Sequence, residues 1–393
     1  MPSAPHGGIG KRIAYHRSVA RLTQQQLADA ATIHIGTLRK IERGARGVGD
    51  GIVEAIAAAL GIAPSLILAD RAQASSRIRA AIPALSAAIA AYDLPDDGPV
   101  RPLPQLRDAV GEAAAWRLAA QYVQITRSLP DLLAELFRAL QSAPADERAD
   151  IAALVASACR SADAVAYKFG AYDLSARLIE LTRWAAPQAG DPILTAAIAY
   201  VRTETFFAAD AHHQGLRALE RALDAATHPD TVPSIAARGA LHMRAAVVAG
   251  RAGNVDAADT HLAEARRLGD QVPEAIYAGT AFGPSSVRIH EVSVAVSLGS
   301  EHVHRALNVA RKWAPPADLP AERRSGFYIE LARAQLWSGL PDDAFESLKD
   351  ARKIAPQHTR DHRWVREDAA TLRRLKRADA ESLTSFAEWC RAT

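Results

Sequence analysis

At 393 residues the chain is long enough for two or three compact domains, and 49% hydrophobic residues with only 6% aromatics favour close-packed helices over sheets. Of its 47 basic and 44 acidic residues, eight and five fall within residues 1–70, leaving 39 of each beyond, so the whole surplus sits on the first segment and a basic groove along the rest is excluded. Two cysteines, Cys159 and Cys390, far apart in sequence, exclude a disulfide framework, and no apolar run approaches the ~20 residues of a membrane span. A cytoplasmic protein without a membrane partner is expected.

Residues 1–8, with two Pro and two Gly, read as a flexible arm. Gly10 to Ser18 then forms a helix carrying Lys11, Arg12 and Arg17. Thr23 followed three residues later by Gln26 is a capping box, which satisfies orphan amides and starts a second helix at Gln24. Leu27, Ala31, Ile33, Leu38 and Ile41 fall where two helices of about two turns each would bury one face, leaving Arg39, Lys40 and Arg43 outside. Gly44 supplies the left-handed cap that ends the third helix. Asp50 to Leu60 makes a fourth, Gly61 stops it, and Pro64 opens a last short turn. The expected core of this five-helix domain is Ile13, Leu22, Leu27, Ile41, Val53, Ile56 and Leu60.

The run Leu22-Thr23-Gln24-Gln25-Gln26-Leu27-Ala28, followed by Ile41-Glu42-Arg43-Gly44, resembles the phage-repressor (XRE) helix-turn-helix family from about Ile9 to Leu68. The resemblance implies a DNA-binding domain over 9–69. Gln24, the residue after the capping Thr, would contact phosphate, the opening turn Ile35, Gly36 and Thr37 would read base edges, and Lys40 would read a further base. His34 stands where the family has a Ser or Thr cap, and Ile35 and Gly36 stand where polar readers are usual, so hydrogen-bond readout would rest on Thr37, Arg39 and Lys40. Arg43 and Arg46, at the helix exit, suit phosphate.

An Ala-rich helix follows from Arg71 to Tyr92, and four prolines between Pro95 and Pro104 make a semi-rigid connector, so residues 70–104 read as a linker and swivel. From Gln105 to the C-terminus, amphipathic helices alternate with short breaks. A spacing of Gly, small, large apolar and small residues recurs in Gly253, Ala258, Leu262, Ala265 and in Gly339, Ala344, Leu348, Ala351. Weaker copies are Gly170, Ser175, Ile179, Thr182; Asp210, Gly215, Leu219, Ala222; and Leu298, Val303, Leu307, Ala310. The pattern resembles tetratricopeptide repeats over about 160–357. That implies an all-α fold, a helix-turn-helix domain followed by a tetratricopeptide-like α-solenoid over 105–393, with a long concave face. Carried over position by position, the face would present Tyr167, Tyr200, Glu204, Phe207, Met243, Arg288, Arg333 and Trp337 to a peptide or small-molecule effector.

Ser285 or Ser286 could cap a helix after Gly283-Pro284, offering an anion site beside Arg288. Residues 360–377 are rich in Arg, and Leu383, Phe386 and Trp389 line one face of a final capping helix. No phosphate loop, zinc spacing or nucleophile elbow occurs, and the pairs His212-His213, His302 with His304 and His358 with His362 come without a third ligand. No cofactor, metal or catalysis is expected. The chain is similar to actinobacterial and peptide-sensing regulators with the same domain order, which implies a homodimer that binds double-stranded DNA and senses a ligand. A scaffold whose repeats hold another protein while the first domain tethers it is the alternative.

Overall fold

The computed structural model describes residues 9–45, 48, 50–62, 64–226, 229–375 and 380–392, which divide into two compact units: one comprising the residues up to Arg77 together with those from Arg360 on, the other Ile78–Thr359. In the first, α1 (Ile9–Val19), α2 (Gln24–Ala30), α3 (Ile35–Glu42), α4 (Asp50–Leu60) and the beginning of α5 (Pro64–Ala90) surround one apolar core. The capping box forms: the Gln26 amide donates to the Thr23 hydroxyl at 3.2 Å, and the Thr23 amide donates to Gln26 Oε1 at 2.8 Å. Ile13, Leu27, Ile41, Val53 and Ile56 are buried as expected, whereas Leu22 and Leu60 lie at the rim. Gly44, at φ +80°, ends α3 in the left-handed turn.

α1 crosses α3 at very short range. A Cβ on Gly10 would stand 2.0 Å from the Ile41 carbonyl oxygen, so only glycine fits. Two residues on, the Arg12 guanidinium, itself buried, donates to the Ile67 carbonyl at 2.7 Å and pins α1 to α5.

α5 departs from the expected short turn plus separate helix. Neither Gly nor Pro interrupts residues 65–82, so the helix runs past the expected break, and it continues through Pro83 to Ala90. The second half of α5 belongs to the second unit: Ile78, Leu85 and Ile89 are buried in its core, and the proline-rich stretch lies along a helix of that unit. There the Arg101 guanidinium makes a bidentate pair with Glu135 at 3.0 and 2.7 Å, while its amide donates to the same carboxylate at 2.8 Å.

The second unit is built from helical hairpins. Among the described residues these are α6 (Leu103–Leu118) with α7 (Tyr122–Ser142), α8 (Arg148–Lys168) with α9 (Tyr172–Ala189), α10 (Pro192–Ala208) with α11 (His212–Ala225), and α12 (Val232–Arg251) with α13 (Val255–Gly269). A two-stranded insertion, β1 (Ala275–Tyr277) and β2 (Thr280–Phe282), precedes α14 (Pro284–Ser297) with α15 (Val303–Ala310), α16 (Ala321–Trp337) with α17 (Pro341–Ile354), and α18 (Pro356–Asp361). The repeat spacing marks the turns between paired helices: Gly170, Gly253 and Gly339 sit at φ +77°, +72° and +72°, and Asp210 at +53°. The small and large residues that follow them, such as Ala258, Leu262 and Ala265, pack each second helix against its first. The repeats begin earlier than the glycine signal shows, because Ala120 takes the left-handed position (φ +56°) between α6 and α7.

The leading helices α6, α8, α10, α12, α14 and α16 stack in order, and α16 also contacts α6. The array therefore closes on itself, and the expected open concave face is instead an interior. The β-hairpin was not expected. It pairs Ala275 with Phe282, Ile276 with Ala281 and Tyr277 with Thr280, around Ala278 and Gly279 at φ +43° and +75°. Its base is held by Phe282, whose ring occupies the place of a side chain at Gly239: a Cβ there would lie 2.0 Å from the ring.

The C-terminal segment, expected to cap the repeats, groups with the first unit instead. Its helices α19 (Arg363–Leu375) and α20 (Ala380–Cys390) pack on each other, Leu383 and Phe386 are buried, and Glu388 accepts a hydrogen bond from the Val48 amide.

Replacing Gly10 with Ala drives a methyl group into the α3 backbone and should destabilise the first unit by at least about 2 kcal/mol, read in denaturant unfolding followed by exchange of the α3 amides. An unchanged midpoint would show that α1 and α3 do not approach as described.

Candidate DNA-reading helix and candidate ligand-binding interior

The orientation of α3 rests on Glu42, its last residue. Arg17 of α1 donates to this carboxylate at 2.6 and 3.1 Å, the Gln24 side-chain amide of α2 donates at 2.7 Å, and Arg17 Nη1 also holds the Leu22 carbonyl at 2.9 Å. Hydrogen bonding to Glu42 raises the pKa of Arg17 against the effect of burial. One largely buried carboxylate thus joins three helices. Gln24, expected at phosphate, has its side-chain amide directed to Glu42.

At the other end of α3, His34 caps the helix: the Gly36 amide donates to His34 Nδ1 at 3.1 Å. The imidazole serves where Ser or Thr is usual. Between these fixed ends, Arg39, Lys40 and Arg43 are exposed, Gly36 and Thr37 are half-buried, and Ile35 packs partly against the core. Arg43 Nε reaches the Arg39 carbonyl at 3.3 Å, which places a cation at the helix C-terminus. Arg46 lies outside the described residues. The result is a short helix with a fixed axis, an apolar underside and a cationic outer row.

The interior of the second unit brings together four of the eight residues expected to face a ligand. The Arg244 guanidinium lies 4.7 Å from the Tyr200 ring and 4.8 Å from the Phe207 ring, donates to Thr203 Oγ1 at 2.6 Å, and stands 3.8 Å from Glu204. The Arg251 guanidinium also lies over the Phe207 ring, at 4.9 Å. Tyr167 joins them: burial, and then the charge of Glu204, push its phenol up to about 12. Of the other four, Arg333 is buried at the edge of this cluster, its charge reaching Arg251, and lies 5.7 Å from the exposed Trp337. Met243 is fully buried in the apolar core and offers nothing to a ligand, and Arg288 is exposed beside Trp313 at 5.9 Å.

The expected anion site at Ser285 and Ser286 is occupied by the chain itself. Glu274 accepts from the Ser286 amide at 2.9 Å and from its hydroxyl at 2.5 Å, so a carboxylate of the preceding loop already caps α14.

Several interior residues were not singled out in the sequence. Lys168 pairs with Glu322 at 2.7 Å, Arg323 donates to the Tyr200 hydroxyl at 3.1 Å, and Ser293 donates to Glu330. Asp163, buried and held by Ser175 at 2.5 Å, has its pKa driven well above the carboxylate range by burial and then by Glu204. A signal for this lining does exist. Arg160 and Tyr167, Tyr200 and Phe207, Arg244 and Arg251, and Arg323 and Glu330 are each seven residues apart on a leading helix, which repeats one face every two turns.

Cys159 is no reactive thiol: it is buried in the second unit, and burial pushes it up to about 12, while Cys390 is buried in the first unit. Among the described residues no group of three or more His, Cys, Asp or Glu is arranged to hold a metal, and no helix is long and apolar enough to cross a membrane.

Comparison with known proteins gives a local and a distant likeness. A helix-turn-helix domain family matches residues 9–69, the segment that folds as α1–α4 and the start of α5. No curated protein matches. Among solved structures, the chain is similar to Bacillus thuringiensis PlcR, in its crystal structure with the peptide PapR7 and DNA, at 14% identity over 67% of this chain and 94% of that one, with a TM-score of 0.29. At that score nothing about this chain follows from the likeness.

The buried histidines set a pH dependence. His290 and His358 are pushed down to about 3 and His242 to about 4, in each case by burial first, so the folded chain binds fewer protons than the unfolded one below pH 6.5. Their contribution is complete above that pH and is lost as pH falls. Glu330 opposes them: burial raises it to about 7, so the folded chain holds an extra proton between 4.5 and 7 and its contribution falls as pH rises. His212 and His261 are lowered too, by burial first, and Asp163 is raised like Glu330, so five histidines against two carboxyls give stability that rises from pH 4.5 to 6.5. Glu330→Gln should steepen that rise by up to about 1.4 kcal/mol per pH unit, measured by urea unfolding of the intact chain. A shallower rise in the variant would contradict the assignment.

Proposed function

We propose that the protein is a transcriptional regulator, not an enzyme, that binds operator DNA through α3 and senses an effector in the interior of its repeat unit. The observation that carries this reading is the exposed row Arg39, Lys40 and Arg43 on a helix whose two ends are fixed by Glu42 and His34. Such a helix suits the major groove, where its opening turn would approach base edges and its exit would approach phosphate. Ile35, Gly36, Thr37, Arg39 and Lys40 are assigned to base reading, with Ile35 suited to a thymine methyl group; Arg43 and Arg46 are assigned to phosphate. The domain-wide match to a helix-turn-helix family over residues 9–69 supports this assignment.

A single such helix covers only a few base pairs, so the reading includes a homodimer on a two-fold operator. Aromatic rings stacked with arginines inside the repeat unit suit an effector of small size, peptide or otherwise, better than a protein surface would. The setting is the cytoplasm, where DNA and small effectors are both accessible.

Gel-shift titration tests the division of labour on α3. With a duplex selected in vitro on the protein and a random duplex of equal length, Arg43→Ala should weaken both about equally and lower the salt slope by about 1. Lys40→Ala should weaken the selected duplex more than the random one. Unchanged affinity for both duplexes in both variants would remove α3 from the DNA contact.

A further inference from the structure

Two guanidiniums converge on the tip of the β-hairpin. Arg117 of α6 donates through Nη2 to the Gly279 carbonyl at 2.9 Å, and Arg160 of α8 donates to the Ala278 carbonyl at 2.5 Å and to the Thr280 hydroxyl at 2.6 Å. A Cβ on Gly279 would stand 3.0 Å from both cationic heads, so they flank a single backbone carbon. Every one of these acceptors is neutral. The ionisable acids whose charge reaches the two arginines, Glu204 and Glu322, already face Arg244 and Lys168. Arg323 brings a third positive head to the same neighbourhood.

Two donors buried beside them have no hydrogen-bond partner: Arg117 Nε, on a residue 8% exposed, and the hydroxyl of Tyr122, which is 0% exposed. Native interiors rarely leave such groups unmatched. The surplus of positive charge is felt by its neighbours. Burial would raise the Tyr200 phenol, but Arg323 and Arg244 outweigh it and bring the phenol below its usual value. Tyr277, Ala278 and Thr280 of the hairpin also close, against Ala197, Ala236, Ala240 and Tyr200, an apolar slot of about 10 Å³, room for one water while the tip is down.

We infer that Arg117 and Arg160 form the head of a binding site for a small organic acid, a carboxylate or a phosphate bearing an apolar group, and that the hairpin tip holds the acid's place until ligand displaces it. The oxyanion takes the guanidinium donors now given to the Ala278 and Gly279 carbonyls and adds the Arg117 Nε and Tyr122 donors, while the apolar group fills the space that the narrow slot gains as Ala278 at the tip lifts away from it. The hairpin is built to give way on one side only. Ala275, Ile276 and Ala278 are exposed, whereas Thr280, Ala281 and Phe282 are buried, so the first strand and the tip can lift about an anchored second strand. The inference rests on the reading of the repeat unit as a sensor and names the chemistry of its effector.

Titration calorimetry on the full chain with octanoate, octyl phosphate and the neutral octanamide tests it, together with hydrogen exchange over residues 275–280. Saturable binding of at least one of the two anions, but not of the amide, is expected, with faster exchange at the tip; which anion binds more tightly separates carboxylate from phosphate. Arg160→Gln should weaken binding about tenfold or more. Thr280→Val, which removes an acceptor that competes for Arg160, should tighten it severalfold, an effect that a merely structural role for the hairpin would not produce. Absence of anion binding, or binding indifferent to both substitutions, overturns the inference and leaves the DNA-binding reading standing. Anion binding that follows both substitutions but leaves the gel shift unmoved supports the site and counts against the sensor reading alone.

Discussion

A guanidinium withdrawn from water must be given acceptors, and both units of this chain are arranged around that demand. Removing such a charge from solvent costs several kcal/mol unless hydrogen bonds replace the water, so each buried arginine fixes the position of whatever accepts from it. In the first unit Arg12 fixes α5 through a carbonyl, and Arg17 fixes the end of α3 through Glu42. Arg39 and Arg43 stay exposed along α3 and its C-cap, as do Arg21 and, in the C-terminal segment, Arg363, Arg373 and Arg374. The modest net charge of the chain understates what α3 presents, because Arg12 and Arg17 are used internally while Arg39, Lys40 and Arg43 share its outer row.

The second unit meets the same demand differently. Its leading helices carry polar residues at a seven-residue interval, and closure of the array turns what would be a solvated concave face into an interior. Glu204, Glu322 and Glu330 balance only part of the arginine charge there, and the rest is met by phenol rings, hydroxyls and backbone carbonyls. Rings stacked against guanidiniums and carboxyls held partly protonated are what a polar lining requires once it is shut away from bulk water. An interior of this kind is costly to build for stability alone, which is why its chemistry bears on function.

How much of this could be read in advance depended on whether the signal was local. The Thr23–Gln26 capping box, the limits of α4 and the left-handed turns at Gly170, Gly253 and Gly339 follow from a few adjacent residues and appear where those residues place them. The hairpin at 275–282 lacked such a signal: its strands are three residues long and its turn is Ala-Gly rather than Asn-Gly. The α6–α7 repeat was hidden because Ala120 carries the left-handed turn. Contacts between distant segments were the least legible. Nothing near Glu388 announces that its carboxylate accepts from Val48, nothing near Glu135 announces Arg101, and the contact of α16 with α6 that closes the array depends on superhelical geometry that no repeat spacing fixes. On α3 the residue types were legible, but the engagement of Gln24 of α2 by Glu42 was not.

The account stands on α3 being held at both ends so that its outer row meets a duplex. Amide hydrogen exchange of the intact protein, free and bound to a duplex selected on it, measures this most directly. Protection centred on residues 34–44 is the predicted result. Strong binding to that duplex with exchange at 34–44 unchanged, and protection confined to other surfaces, would contradict it.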